Sequence, residues 1–496
     1  MPEPRRDGSS KALYTRGVDV LGFASLLEGL PTERVRLLDN LGRLRRELGP
    51  ITPELSDALA DHMNLRHGDV HEVVSFYSFL QVPVDAVRVC TGPVCDAAGS
   101  RELLVEHAVE VPCLGHCDLA PVVVHGDDVV GGVTHAANGF LLEPDEIRPP
   151  AALSQDEVLA RLEASGLTGM GGAGFPTHVK WEAVRREPAP RVVIVNADEG
   201  EPGTIKDRYV MELRPQLLLE GLEAAMRFCE TDEAYVYLRE EYAGARATLT
   251  EAIAARGLAV QLVVGAGAYI CGEETAMLES MEGRRGMPRL KPPFPTQSGY
   301  LGRPTLVNNV ETLAHVALVL RGGWKPQRLW SVTGAVARPG CYAAPLGVSA
   351  RELIDGFAGG LTAEPGALVP GGAASGILPP AALDVPLTRE ALAEWGCAVG
   401  SAALQVFPRS YSPRRLLAET MRFFAEESCQ KCTPCRIGNR ALHAVFAGES
   451  TLGAEKLDEW LDAMALTSIC GLGQAAPIPV RNALAHWPEL FERMPA

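Results

Sequence analysis

The chain has 496 residues, 47% of them apolar, with 62 acidic against 46 basic side chains and a net charge of −16. This length exceeds what a single core organises and predicts about three to five domains. The acidic balance repels nucleic-acid phosphates and anionic lipid headgroups, so neither nucleic acid nor a membrane surface is expected as a partner.

No apolar run of about 18 residues is present, and the opening MPEPRRDGSSK lacks the apolar stretch of a secretion signal. The expectation is a soluble, cytoplasmic protein with no direct membrane insertion. Residues 32–85 read as helical: Val35, Leu37, Leu38, Leu41 and Leu44 recur at helical spacing, and Thr52 with Glu54 opens a further helix. Within VHEVVSFY, at 70–77, His71 and Glu72 are not followed by the second histidine of a zinc-protease helix. This stretch is read as a helix packing its aromatic side chains against the next domain.

Twelve cysteines in a reducing compartment predict ligands rather than a disulfide framework. Cys90 and Cys95 stand in C-x4-C and Cys113 and Cys117 in C-x3-C, after short β-branched runs at 87–89 and 109–111. Each pair thus sits where a strand opens into a loop. Four thiolates on adjacent loops suit a 2Fe-2S rhomb with two ligands per iron; a tetrahedral zinc ion is the alternative that the same set satisfies.

The segment GLTGMGGAGFPT, at 166–177, formally contains G-x-G-x-x-G in Gly169, Gly171 and Gly174. A helix capped by Ser154 and Glu157 precedes it, and the clear strand at 191–195 follows it, which is the reverse of a dinucleotide turn. Its bare amides still suit close approach to a phosphate or a flat ring. The strand ends in NADEGEPG, placing Asn196, Asp198, Glu199 and Glu201 at a carboxyl end, where α/β sheets bind ligands. These acids accept from ribose and ring donors or hold a cation, with a solvated acidic turn as the plain alternative.

A second strand at 261–264 leads into GAGAYICGEET, with Tyr269, Gly272, Glu273 and Glu274. KPPFPTQSG offers the cation Lys291 and the ring of Phe294, and NNVET offers the amides of Asn308 and Asn309, which satisfy a heterocycle's donors and acceptors, followed by Thr312. Together these blocks suggest nucleotide or flavin binding.

Near the C-terminus Cys429, Cys432 and Cys435 form a C-x2-C-x2-C run, and Cys470 returns later. Such a run wraps a cubane that a distant fourth thiolate closes, whereas structural zinc pairs two knuckles, so a 4Fe-4S cluster is expected. Cys229, Cys271, Cys341 and Cys397 stand alone and are read as buried small hydrophobes.

The blocks GMGGAGFPTHVKW, NADEGEPGTIKDRY, GAGAYICGEETA, KPPFPTQSG, NNVET, ESCQKCTPCRIG and SICGLGQ resemble, in order, the flavin-containing, NADH-oxidising subunit of respiratory complex I and its soluble relatives. HEVVSFYSF, CTGPVC and PCLGHC resemble the thioredoxin-like 2Fe-2S subunit that accompanies it, here fused into one chain. Such a fusion, without further ferredoxin cysteines at its C-terminal end, is most similar to the beta subunit of soluble NAD-dependent formate dehydrogenases. NAD-reducing hydrogenases and complex I are the competing assemblies.

The resemblance implies a multidomain α/β fold: a helical segment (1–80), a thioredoxin-like 2Fe-2S domain (81–150), a Rossmann-like FMN and NADH domain (151–322), a ubiquitin-like β-grasp domain (323–400) and a helical bundle with the 4Fe-4S cluster (401–496). FMN contacts fall on Gly169, Gly171, Gly172, Lys180, Asn196, Asp198, Glu199, Tyr269, Gly272, Glu273, Asn308, Asn309 and Thr312. NADH contacts fall on Phe175, Glu201, Glu274, Lys291 and Phe294, with Glu201 and Glu274 positioning the dinucleotide. No acid-base side chain is required, because hydride passes directly between nicotinamide and flavin. The implied partner is a molybdopterin-type formate dehydrogenase large subunit or another redox subunit.

Three departures stand out. Thr168 and Met170 occupy positions where the family commonly has arginine, Ala183 replaces an aromatic residue found in some members, and Gly200 replaces a frequent serine, a change expected to be without consequence. A different class of reading is a zinc-stabilised, non-catalytic assembly subunit with a degenerate nucleotide pocket.

Overall fold

The fold is taken from a computed structural model that describes residues 20–132, 136–450 and 454–492. Strand Val192–Ala197 is almost uninterruptedly apolar, the pattern of a strand covered on both faces. It lies inside a four-stranded, all-parallel sheet ordered Val260–Val264, Ala234–Leu238, Val192–Ala197, Thr305–Asn309. Val193, Val195 and Ala197 point into one core with Val210, Leu218, Leu222 and Leu313, from helices Lys206–Leu213, Pro215–Cys229 and Val310–Arg321.

Val192 and Ile194 point the other way, onto Met277 and Leu278 of helix Glu274–Met281 and onto Leu37, Leu41 and Leu44 of helix Leu37–Leu48. The N-terminal helices therefore cover the far face of the parallel sheet. The Tyr77 hydroxyl donates to the Arg284 carbonyl at 3.1 Å, and the Arg285 guanidinium lies 4.9 Å from the Phe76 ring centroid. These aromatics were expected against the domain that follows in sequence. They pack mainly against the parallel-sheet domain instead, because a parallel sheet must be covered on both faces and its own helices supply only part of the second layer.

A second sheet, ordered Val109–Val111, Val87–Cys90, Val123–His125, Asp128–Val130, carries the first cysteine set at and just beyond the ends of its first two strands, with Cys95 in the short helix Pro93–Ala97. The third sheet is five-stranded and mixed: Pro365–Val369, Ala403–Pro408, Gln327–Gly334, Gly340–Pro345 and Ala136–Ala137. Two of its strands fall outside the range 323–400. Ala136–Ala137, on the cysteine-domain side of the chain, pairs in parallel with Gly340–Cys341, and Ala403–Pro408 lies between two other strands rather than in the helical bundle. Two alanines carry no strand signal, so tertiary pairing alone places the first of these.

Helices Pro413–Glu426, Thr433–Ala447, Ala454–Thr467 and Pro477–His486 form the C-terminal unit. Their Leu417, Met421, Phe424, Leu442 and Leu461 belong to the same continuous core as one face of the parallel sheet. Among the described residues no helix is long and apolar enough to cross a membrane.

Candidate flavin, nucleotide and iron-sulfur sites

At the carboxyl end of the parallel sheet, asparagines frame the first pocket. Asn309 accepts from the Thr312 backbone N–H at 3.3 Å, capping helix Val310–Arg321, and donates to Asp207 Oδ2 at 2.6 Å. The Thr312 hydroxyl in turn accepts from the Met170 N–H at 2.9 Å and ties down the glycine-rich loop. A Cβ on Gly171 would stand 3.3 Å from Asn309 Cβ, and Gly172 has φ +118°, so both glycines are needed for the loop to lie this close. Asn308 accepts from the Trp181 indole at 3.0 Å, and Asn196 donates to the Gly272 carbonyl at 2.9 Å.

Lys180 Nζ is 3.1 Å from Glu274, and Lys291 Nζ is 2.8 Å from Glu273 and 3.1 Å from Glu274. Burial works against ionisation of Glu274, but the two lysines outweigh it and hold the carboxyl below its usual range. Glu273 also caps helix Glu274–Met281, accepting from the Thr275 and Ala276 N–H groups at 2.9 Å each. Phe175 and Phe294 are 50% and 51% exposed, large apolar rings left at the surface. Thr168 forms an isolated bridge with Pro176, and Met170 is buried, so this stretch of loop offers core packing where the family's arginines would offer charge.

The acidic loop divides its labour. Glu199 is buried, and its carboxylate accepts from the Asp207 and Arg208 N–H groups at 2.9 and 3.1 Å and from the Tyr242 hydroxyl at 3.0 Å. It anchors the start of helix Lys206–Leu213, so the side chain expected to touch flavin is committed to building the loop. Glu201 accepts from the Tyr269 hydroxyl and, at 3.0 Å, from the Ala374 N–H. Burial raises its pKa. Asp198 Oδ2 is withdrawn from solvent without a hydrogen-bond partner, and burial pushes this carboxyl up to about 8.

Gly200 corrects an expectation. A Cβ there would meet the Tyr269 ring at 2.8 Å, so the glycine is what lets this ring lie against the loop. Tyr269 also donates its N–H to Glu427 at 2.8 Å and meets the Phe423 ring edge-on at 4.9 Å, joining the pocket to the C-terminal helices. Cys271 is 1% exposed and lies 3.9 Å from the Tyr77 hydroxyl, in accord with packing. Glycine approach, oriented amides and exposed rings fit a flavin and a dinucleotide as occupants.

The first cysteine set is buried as one group. Cys113 and Cys117 sulfurs are 3.9 Å apart, and Cys90 interacts with Cys113 and Cys95. Gly115 N–H donates to Cys113 Sγ at 3.4 Å, and Gly203 N–H, from the acidic loop, donates to Cys117 Sγ at 3.3 Å. In the second set, Cys432 precedes helix Thr433–Ala447 and Cys470 precedes helix Gly471–Ala475. Ser428 and Asn439 each lie 3.3 Å from Cys435 Sγ. Burial pushes Cys435 up to about 12 and Cys470 up to about 11.

Among the described residues no group of three or more His, Cys, Asp or Glu side chains is arranged to hold one metal ion. What the chain supplies is two all-sulfur sets with N–H···S contacts, the donor chemistry of iron-sulfur ligation.

Residues 23–108 match the thioredoxin-like [2Fe-2S] ferredoxin family, 162–318 the Nuo51 FMN-binding domain, and 415–494 the NADH-ubiquinone oxidoreductase-F iron-sulfur binding region. The second F-type subunit of NADH-quinone oxidoreductase of Rhizobium meliloti (strain 1021) is 41% identical over 67% of this chain and 87% of that protein. The chain belongs to the family of NADH-quinone oxidoreductase F-type subunits. The corresponding protein of Streptomyces coelicolor (strain ATCC BAA-471 / A3(2) / M145) is 39% identical over 70% of this chain and 84% of its own length. A chain of an NAD+-reducing [NiFe]-hydrogenase in the H2-reduced state superposes with a TM-score of 0.83 at 31% identity, covering 93% of both chains.

The chain thus carries an FMN-binding domain, a 4Fe-4S region and a thioredoxin-like 2Fe-2S domain, and it is an FMN and iron-sulfur NADH oxidoreductase component. The thioredoxin-like match ends at residue 108, before Cys113 and Cys117, which the fold brings to Cys90 and Cys95. Sequence reasoning missed Asp207 and Glu427, which orient Asn309 and Tyr269. Asp207 lies inside the NADEGEPGTIKDRY block and Glu427 inside ESCQKCTPCRIG, but their partners are distant in the chain.

Proposed function

We propose that the chain is the diaphorase subunit of a soluble, cytoplasmic, NAD-linked complex, passing electrons between NAD(H) and a partner redox subunit. The supporting observation is architectural. The quinone-oxidoreductase relatives align with about two thirds of the chain, whereas the hydrogenase chain matches it at 93% coverage of both, which favours a fused diaphorase over a membrane-complex component.

In this reading Gly169, Gly171, Gly172, Asn196, Asn308 and Asn309 shape the flavin pocket, while Phe175, Phe294, Lys291, Glu201 and Glu274 hold the dinucleotide. Bound FMN would supply the exchange between two-electron hydride and single electrons. The chain's own task is alignment of the two rings and exclusion of water. Cys429, Cys432, Cys435 and Cys470 ligate the cubane nearest the pocket, and Cys90, Cys95, Cys113 and Cys117 ligate the 2Fe-2S centre.

The partner in this proposal is a molybdopterin-type subunit that oxidises formate, so that formate and NAD+ give CO2 and NADH. A nickel-iron hydrogenase partner is the second reading, favoured by the same superposition. Metal and flavin analysis of anaerobically purified protein is expected to give about six iron atoms and one FMN. Two zinc ions without flavin would establish the assembly-subunit alternative. NAD+ reduction by the native complex with formate, and none with hydrogen, is the expected result for the partner; the reverse selects the hydrogenase.

A further inference from the structure

Between the acidic loop, the turn after Val260–Val264 and the Cys113 loop lies a cavity of ≈ 30 Å³, space for about two waters. Asp198, Tyr237, Arg239, Glu241, Tyr269 and Glu427 line it, and the lining continues to Ser78, which is exposed. Two carboxylate oxygens here, Asp198 Oδ2 and Glu241 Oε2, are withdrawn from solvent and have no hydrogen-bond partner. The other Glu241 oxygen accepts from Arg239. Orphaned acceptors beside a water-sized space call for water or a proton.

Oxidation of NADH yields NAD+, two electrons and one proton. Iron-sulfur clusters take the electrons singly and leave the proton behind, so one proton per hydride must leave the pocket, or enter it when NADH is formed. We propose that Asp198 and Glu241, bridged by water in this cavity, carry that proton between the nucleotide pocket and solvent at Ser78. In the oxidative direction Asp198 Oδ2 receives the proton, water passes one on to Glu241 Oε2, and it leaves past Ser78; NADH formation runs the route backwards.

The surroundings suit the task. Arg239 opposes the rise in the Asp198 pKa that burial causes, and Glu241 and Glu427 add to it, leaving the group at about 8. Asp198 therefore takes up and releases a proton near neutral pH, where proton transfer is most effective. Tyr77, Tyr237 and Cys271, which also face it, stay protonated throughout this range, because burial raises each of them well above it.

The inference rests on the NADH-oxidising reading, and the test separates the two. Holoprotein is mixed with NADH in a stopped-flow instrument while flavin bleaching, the cluster reduction that frees the proton, and a pH-indicator dye are followed together. Glu241→Gln holoprotein is expected to bleach at the wild-type rate and to release its proton about tenfold more slowly. Ser78→Phe, which blocks the exposed rim without touching the buried groups, is expected to do the same, and it decides the matter alone if the first variant does not fold. Reduced-minus-oxidised infrared spectra of wild-type holoprotein are expected to show a protonated-carboxyl band that disappears in Asp198→Asn. Proton release at the wild-type rate in both relay variants overturns the relay; wild-type protein that neither binds FMN nor bleaches overturns the NADH reading instead.

Discussion

At the scale of single residues, Gly200 and Glu199 show how neighbours in one loop take opposite roles. Gly200 is a space requirement: the Tyr269 ring occupies the position of its missing side chain, and the Tyr269 hydroxyl donates to Glu201. Gly200→Ser is therefore expected to displace the ring and break that bond, weakening NADH binding by about tenfold, the worth of one buried hydrogen bond. Titration of the variant with NADH checks this, and unchanged affinity would refute the packing argument. Glu201→Gln keeps the shape but removes the charge, so nucleotide affinity is expected to shift while FMN stays bound; unchanged NADH kinetics would remove Glu201 from the site. Glu199 reads in sequence like one more pocket acid, and only its three donors reveal that it builds the loop.

At the scale of elements, helix Lys206–Leu213 begins in a buried charge network beneath the pocket. Lys206 Nζ lies 2.8 Å from Asp207 and 3.1 Å from Glu311, all three buried, while Asp207 also holds Asn309. Burial opposes ionisation of Glu311, but Lys206 and then His315 outweigh it and hold the carboxyl at about 2. A depressed carboxyl stabilises the fold above its unfolded pKa of about 4.5, and that contribution is lost as pH falls towards 2.

Lys206→Met leaves two buried carboxylates without their cation and is expected to cost about 3–5 kcal/mol near neutral pH, with a smaller deficit in acid as the carboxyls protonate. Denaturant titration at a series of pH values measures it; equal stability of variant and wild type at neutral pH would show that the network contributes nothing. The residues Lys206 and Asp207 stand in the block NADEGEPGTIKDRY that the sequence singles out. Their network is not legible there, because Lys206 and Glu311 are joined only when strands 192–197 and 305–309 pair.

At the scale of the whole molecule, a few contacts weld units far apart in the chain. Asp96, next to Cys95, accepts from Arg415 at 2.9 Å and from the Tyr411 hydroxyl at 2.5 Å, and Glu427 accepts from Tyr269. Glu427→Ala removes the tie between the pocket turn and the C-terminal cysteines. Flavin reduction by NADH is expected to persist while electron passage to the clusters slows by about tenfold, since small displacements of reacting groups carry large rate penalties. Rapid-freeze spectroscopy of cluster reduction tests it, and wild-type kinetics would show the tie to be dispensable.

By itself the sequence determined the chemistry. Eight cysteines in two constellations, the glycine-rich loops and the amide and acidic blocks, read together with the family they resemble, point to flavin and iron-sulfur use, because ligation and close backbone approach demand particular residue types at short range. Tertiary structure decided the arrangement: that the N-terminal helices cover the parallel sheet, that two alanines complete the third sheet, and that Glu199 supports the loop while Asp198 faces a water-sized cavity. Those outcomes depend on which apolar faces and buried charges meet across the fold, and local sequence carries no record of such meetings.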